Sequence, residues 1–312
     1  MARNTPSYLD AVENGTLENR VEAALEQLRH CTLCPRCCSV DRTKGDVGVC
    51  QTGRSVIVAS YNAHFGEEQP LVGENGSGTI FFSHCSLLCN FCQNYDISHL
   101  GDGIALEDEQ LAAVMLELQR AGCHNINFVT PSHVIPQMLS AVLVAARNGL
   151  KVPLVYNSSG YDKVESLRLM DGIVDIYMPD FKFWDKNVAQ KTCDAPDYPA
   201  VARAALVEMH RQVGDLVIDK QTGLAYKGLL VRHLVLPSGM AGTAKVMKFI
   251  ADQVSKDTYV NVMAQYRPCG RAADIPELAD SLTREAYSDA VRDTMDAGIT
   301  RLDRPRRVFE LW

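Results

Sequence analysis

The chain has 312 residues, 46% of them hydrophobic and 22% charged, with a formal net charge of −7; this length supports one large α/β core plus an appendage. The acidic balance excludes a broad basic face for nucleic acid, so the basic cluster Arg301, Arg304, Arg306 and Arg307 reads as a solvated C-terminal edge. No apolar run approaches the ~20 residues of a membrane span and residues 1–8 lack the apolar stretch of a secretory signal, so a cytoplasmic protein with no membrane or nucleic-acid partner is expected.

Apolar spacing predicts a helical lead-in over residues 17–28, followed by a cysteine-dense segment from Cys31 to Cys50. A strand-like run at 55–61 and a glycine-rich stretch at 73–78 lead to a second strand at 78–83. Strands and helices then alternate. The following strands are expected at 125–129, 153–156, 173–177, 229–236 and 259–264. Helices are expected around Leu111–Ala121 and Ile135–Ala146, then at 163–169, 198–213, 244–255 and 282–297. The spacer 215–227 reads as a loop or hairpin excursion. Six strand–helix repeats imply a parallel sheet.

The densest chemical signal follows the 78–83 strand: Cys85-Ser86-Leu87-Leu88-Cys89-Asn90-Phe91-Cys92. Eleven cysteines in a reducing compartment speak for metal rather than disulfides. Three thiolates in one tight loop can hold three corners of a cubane iron–sulfur cluster and leave the fourth iron open to a small molecule. A structural zinc knuckle or a disulfide pair is the alternative, although zinc motifs usually pair two separated cysteine units. Further polar motifs each follow a predicted strand: Thr130, Ser132 and His133; Asn157-Ser158-Ser159-Gly160; Asp180-Phe181-Lys182; Arg232; and Tyr266-Arg267. Parallel barrels place their sites at these strand ends. Alternation turns His233 to the opposite face from Arg232.

These motifs resemble the radical S-adenosylmethionine (SAM) superfamily, and within it the activating enzymes of glycyl radical enzymes, most of all the branch described as homologous to pyruvate formate-lyase activating enzyme. The resemblance runs from Cys31 to the C-terminal helices. It implies an α/β fold with a partial open (β/α)6 TIM-type barrel at residues 76–312, preceded by a cysteine-rich N-terminal extension at 1–75. It also implies that Cys85, Cys89 and Cys92 ligate a [4Fe–4S] cluster, that SAM chelates the open iron, and that reductive cleavage gives a 5′-deoxyadenosyl radical for hydrogen abstraction. Phe91 would contact adenine, and Asn157 and Ser158 would lie near the ribose and a monovalent cation. Asp180 would contact the cation region, while Lys182 and Arg232 would reach the methionyl end. The Gly-Gly-Glu stretch of the superfamily is missing here, and Arg267 stands where relatives carry a histidine.

In the N-terminal segment the resembling branch implies Cys31, Cys34, Cys38 and Cys50 as a ligand set, with Cys37 the extra thiol. Four thiolates suit structural Zn²⁺ or a second iron–sulfur cluster. Because this segment lies outside the strand–helix repeats, it is expected to hold its metal independently of the three-cysteine loop. Cys123, Cys193 and Cys269 read as ordinary isolated residues. The implied partners are a glycyl radical enzyme or another protein or peptide substrate, with a flavodoxin or ferredoxin as reductant. The alternatives are radical SAM modification of another peptide or a small molecule, and, outside enzymes, a metal-stabilised binding or sensor protein.

Overall fold

The computed structural model describes residues 5–303; of the basic cluster, Arg304, Arg306 and Arg307 lie outside them. The chain opens with helices α1 (Ser7–Glu13) and α2 (Thr16–Glu26) and reaches strand β1 (Val56–His64) through the cysteine-dense segment. A short α3 (Gln69–Val72) precedes β2 (Ser77–Phe82) and the small edge strand β3 (Ile104–Leu106). The alternating part then runs α4 (Asp108–Arg120), β4 (Ile126–Val129), α5 (Ile135–Arg147), β5 (Leu154–Ser158), α6 (Val164–Arg168) and β6 (Ile176–Pro179). It closes with α7 (Lys186–Cys193), α8 (Tyr198–Val213), β7 (Val217–Ile218), β8 (Ala225–Leu234), α9 (Thr243–Phe249), β9 (Tyr259–Met263) and α10 (Arg284–Asp296).

The sheet is a mixed one. β2, β4, β5, β6, β8 and β9 pair in chain order and in parallel, whereas β1 joins β2 antiparallel and β3 lies outside β1. β7 pairs antiparallel with β8, so the spacer is a hairpin. The central strands are fully buried apolar runs, as expected where both faces are covered. β1 extends past the expected 55–61, and its far end is half-open to solvent. Segment 56–64 thus belongs to the same sheet as the strands that follow. α1 and α2 also pack on α5, where the Tyr8 hydroxyl donates to the Val152 carbonyl at 3.1 Å.

Helix starts are set locally. Glu107 and Gln110 form a reciprocal capping box on α4. The Asp185 carboxylate caps α7 by accepting from the Asn187 and Val188 amides at 2.7 and 3.3 Å. α7 escapes the periodicity reading because its run KNVAQKTC is mostly polar. Arg301 donates to the Asp257 and Leu216 carbonyls and stacks over Tyr259, so it belongs to the body of the protein. Among the described residues, no helix is long and apolar enough to cross a membrane.

Strand alternation divides the core. Phe128, Tyr156, Tyr177 and Val231 face the helices, in one cluster with Met115, Leu139 and Leu206. Val155, Ile176, Met178 and Leu230 face the other way and pack on Leu71 of α3. Asn157, Asp180, Arg232 and Leu234 share that second parity, and there the site forms. Since Leu71 is fully buried against this face, Leu71→Ala should destabilise the protein by about 2–5 kcal/mol. Urea unfolding checks this, and a loss below ~1 kcal/mol would mean that α3 does not seal the sheet.

Candidate functional site

After β2 the backbone enters a tightly bonded loop. The Ser83 amide donates to the Ile57 carbonyl at 2.8 Å, and the His84 amide to that of Ile97 at 2.9 Å. His84 and Leu88 take φ of +67° and +57°, left-handed conformations that cost non-glycine residues energy and persist only where surroundings enforce them. The Asn90 amide is anchored on the Thr192 carbonyl at 2.9 Å, and the Arg271 amide on the Asn90 carbonyl at 2.6 Å. This bracing turns Cys85, Cys89 and Cys92 toward one cavity of about 460 Å³, within the usual range for small-molecule sites. The Leu87 amide donates to Cys85 Sγ at 3.3 Å and the Ser98 hydroxyl to Cys92 Sγ at 3.2 Å, contacts that favour thiolate ligands.

Burial pushes the Cys85 thiol up to about 12, with Cys89 adding to it. A hydrogen bond that the Cys89 thiol donates to Cys193, and burial after it, hold Cys89 well above the ordinary range. Cys193, expected to be isolated, therefore touches the three-cysteine loop; its proximity has no sequence signal because α7 was not foreseen. Thiols held protonated in this way become ligands by releasing protons as metal binds.

The next strands bring polar groups to the same cavity. At the end of β5, Ser158 Oγ donates to Asp162 Oδ2 at 2.6 Å, and Tyr156 donates to the other carboxylate oxygen at 2.8 Å. Gly160, at φ +75°, passes so close to the Asp180 carbonyl that a side chain would collide with it. The Tyr198 hydroxyl, at the start of α8, lies 2.9 Å from the Ser159 carbonyl and 3.1 Å from that of Asp180, and accepts from the Lys182 amide at 2.8 Å. One phenol thus staples two strand ends together.

Asp180 is the electrostatic centre. Its Oδ1 accepts from Arg232 Nε at 2.8 Å and its Oδ2 from Lys182 Nζ at 2.6 Å, and Arg232 Nη2 continues to Asn157 Oδ1 at 2.6 Å. Burial works to raise the Asp180 pKa, but Arg232 and Lys182 outweigh it and hold the carboxyl below its usual range. For Lys182 burial works downward, and Asp180 and Cys89 overcome it to keep the ammonium charged. With both carboxylate oxygens already engaged by cations, a monovalent cation at Asp180 would have to compete with two side chains.

A further part of the cavity wall has no counterpart in the sequence reading. Glu67 and Glu68, in the connection from β1 to α3, line it together with His64, Asn261 and Met263, and Glu67 Oε2 lies 3.9 Å from Arg232 Nη1. His64 Nδ1 lies 3.0 Å from Glu67 Oε1, and Asn261 Nδ2 donates to Glu68 Oε1 at 2.8 Å. Glu68 Oε2 is buried without a hydrogen-bond partner among the described residues. A Glu-Glu pair beside a turn reads as solvated surface in sequence, and only the β1–β2 pairing carries it inward.

The other expected residues separate. Phe91 lines the cavity, packed edge-on against Phe183 with ring centroids 5.8 Å apart. Thr130 lines it too, but Ser132 and His133 are buried elsewhere. His133 Nε2 lies 3.0 Å from the Ser83 carbonyl, and burial drives its pKa down to about 3. Tyr266 packs behind Phe91 and donates to the Leu278 carbonyl at 2.5 Å, and Arg267 is exposed. His233 bonds to the Phe181 carbonyl and Thr243, away from the cavity.

In the N-terminal segment, burial raises the Cys34 thiol to about 12, with Cys50, Cys31 and Cys38 adding to it, so these four share one neighbourhood. Gly48 passes directly over Cys38 Sγ, where any Cβ would clash. Buried Arg42 donates to the Gly53 and His133 carbonyls and lies 3.8 Å from Cys31 Sγ. Cys37 is exposed and 3.9 Å from Lys163 Nζ. Among the described residues, no three His, Cys, Asp or Glu side chains are grouped as a site for a single metal ion.

No family model matches the chain. Over 291 residues it is 30% identical to "Uncharacterized protein MJ0674" of Methanocaldococcus jannaschii, with 91% of this chain and 79% of that protein covered. Among solved structures it is similar to a radical SAM methyltransferase from Sphaerobacter thermophilus at a TM-score of 0.49 and 15% identity, over 72% of this chain and 64% of that one. The chain thus spans less than two thirds of that structure's length.

Burial raises the Glu68 carboxyl from 4.5 to about 6, against the opposing pull of Arg232. The stability from its protonated form is complete below pH 4.5 and is lost as the pH rises through 6. Glu68→Gln removes this titration, so the variant should gain about 2 kcal/mol on the wild type between pH 4.5 and 7.5. Urea unfolding across that range checks it, and a difference independent of pH would contradict it.

Proposed function

The chain belongs to the family of the M. jannaschii protein MJ0674, a membership that brings no activity with it, and from the site itself we propose that the protein is a radical SAM enzyme. One observation carries the reading. Three thiols from a single loop share one cavity with the Asp180–Lys182–Arg232 network and the Asn157–Gly160 turn. The run of six parallel strands, with these groups at their C-terminal ends, supports the partial (β/α)6 barrel.

The residues suit the groups this function requires. Cys85, Cys89 and Cys92 would hold a [4Fe–4S] cluster, leaving one iron for SAM. A cluster held there would supply one electron to the sulfonium of SAM, breaking its C5′–S bond to release methionine and provide a 5′-deoxyadenosyl radical for hydrogen abstraction. The protein's part is to bind, orient and exclude water. The Lys182 ammonium and the Arg232 guanidinium beside the thiols are donors suited to the methionyl carboxylate. Phe91 offers an apolar wall for adenine, and Asn157 and Ser158 offer polar atoms near it. Cys31, Cys34, Cys38 and Cys50, in the extension at residues 1–75, would hold structural Zn²⁺ or a second iron–sulfur cluster. A cavity of this size beside the thiols favours an enzyme over a binding or sensor protein.

Activation of a glycyl radical enzyme, with flavodoxin or ferredoxin as electron donor, rests on the likeness of Asp180-Phe181-Lys182 to the activases. The second reading is radical SAM modification of another peptide or a small molecule. Protein reconstituted anaerobically with iron and sulfide should form 5′-deoxyadenosine from SAM on reduction. Lys182→Ala should weaken SAM binding by about one to two decades with unchanged iron content. Absence of deoxyadenosine from iron-loaded wild type would reject the function, and unaltered affinity in the variant would remove Lys182 from the site.

A further inference from the structure

We propose that Arg36 couples the two cysteine sets, so that metal held by Cys31, Cys34, Cys38 and Cys50 fixes the loop that carries Cys85 and Cys89; this rests on the reading of both sets as ligands. It replaces the expectation that the N-terminal segment acts independently.

Arg36 lies between Cys34 and Cys37, inside the N-terminal set, but its side chain ends in the other one. Its Nε donates to the Ser86 carbonyl at 2.9 Å, and its Nη2 to the Leu87 and Cys193 carbonyls at 3.2 and 2.8 Å. Nη1 donates to the Asp194 carbonyl at 2.5 Å. Ser86 and Leu87 are the residues that follow Cys85, and Cys193 is hydrogen-bonded to Cys89. One planar fork therefore ties the backbone between Cys85 and Cys89 to the end of α7, a geometry that lysine cannot reproduce. Its outer face lies over the Tyr161 ring, 5.5 Å from the centroid, next to the turn at Gly160. Cluster loop, α7 terminus and the turn after β5 thus meet on one side chain.

Charge gives the contact a direction. Among the described residues Arg36 has no carboxylate partner within ion-pair distance. Its cation faces the last carbonyls of α7, the negative end of that helix, and the loop that would carry thiolates. Removing it should lower the reduction potential of a cluster there, since a nearby cation favours the more negative reduced form.

The turn that carries Arg36 is itself held by its cysteines. The Cys37 amide closes on the Cys34 carbonyl at 3.0 Å, while Cys37 and Ser39 sit at φ +43° and +58°. Such left-handed residues stay in place where the surroundings over-determine them, and a metal joining Cys34 to Cys38 does so on both sides of Arg36. With that metal gone, the turn is free to relax and the fork to leave its carbonyls.

Hydrogen–deuterium exchange on the full-length, anaerobically reconstituted protein tests this, comparing peptides over residues 83–92 and 198–213. Arg36→Ala and the double variant Cys31→Ser/Cys34→Ser should each speed exchange in 83–92 by about tenfold, leave 198–213 unchanged, and lower the cluster potential measured by redox-poised electron paramagnetic resonance. Arg36→Lys should follow the alanine variant, and it decides the matter by the same comparison if alanine loosens the whole chain. Unchanged exchange in 83–92 for the arginine variants overturns the proposal. So does a change in those variants that the double cysteine variant does not share, or a wild type whose N-terminal cysteines bind no metal. Failure of the radical SAM reading shows separately, as iron-loaded wild type that does not cleave SAM.

Discussion

The carboxylate of Asp180, clasped by Lys182 on one oxygen and Arg232 on the other, is the interaction on which the site depends. It joins β6 to β8, and through Arg232 it reaches Asn157 on β5. Little of it meets water, with 13%, 16% and 18% of the three side chains exposed for Asp180, Lys182 and Arg232. A buried ion pair is weak evidence for stability as such, but loss of one partner strands the others at a cost of about 3–5 kcal/mol. The chain bears that risk where a fixed array of charge serves binding. Glu67 Oε2 lies 3.9 Å from Arg232 Nη1, so two carboxylates balance the two cations of this array.

The cavity wall sets opposite charges side by side. With Glu67 Oε2 this close to Arg232 Nη1, the glutamates adjoin the cation network near the thiols. β1 runs antiparallel to β2, with His64 opposite Ser77, so the chain leaves β1 at the N-terminal side of the sheet. α3 then seals the sheet with Leu71 and sets Glu68 against Asn261. Around the thiols, bracing comes from backbone carbonyls and amides, and Arg36 extends it to the N-terminal cysteines.

Much of this order is legible in the sequence. Buried parallel strands are apolar runs, and apolar runs found β4, β5, β8 and β9 within a few residues; α8 was placed at 198–213, its observed span. The cysteine loop and the residues after β5, β6 and β8 were found because chemistry clusters in short stretches behind strands. What stayed hidden acts over long sequence separations. Tyr198 was only the first residue of an expected helix, and its hydroxyl matters through carbonyls 18 and 39 residues away. Arg36 was one basic residue among cysteines, and its acceptors lie 50 to 158 residues on. Glu67 and Glu68 carry no motif of their own, and only the fold brings them to the cavity. His133 follows a strand as a ligand would, yet it is spent on holding the Ser83 carbonyl.

The central claim is that three thiolates leave one iron open to SAM. Electron–nuclear double resonance on the reduced, anaerobic protein tests it most directly, using SAM labelled with ¹⁷O in the carboxylate and ¹⁵N in the amine. The account predicts hyperfine coupling from both labels to the cluster spin, lost when unlabelled SAM replaces them. A reduced cluster that shows no coupling to either label under saturating SAM would contradict it.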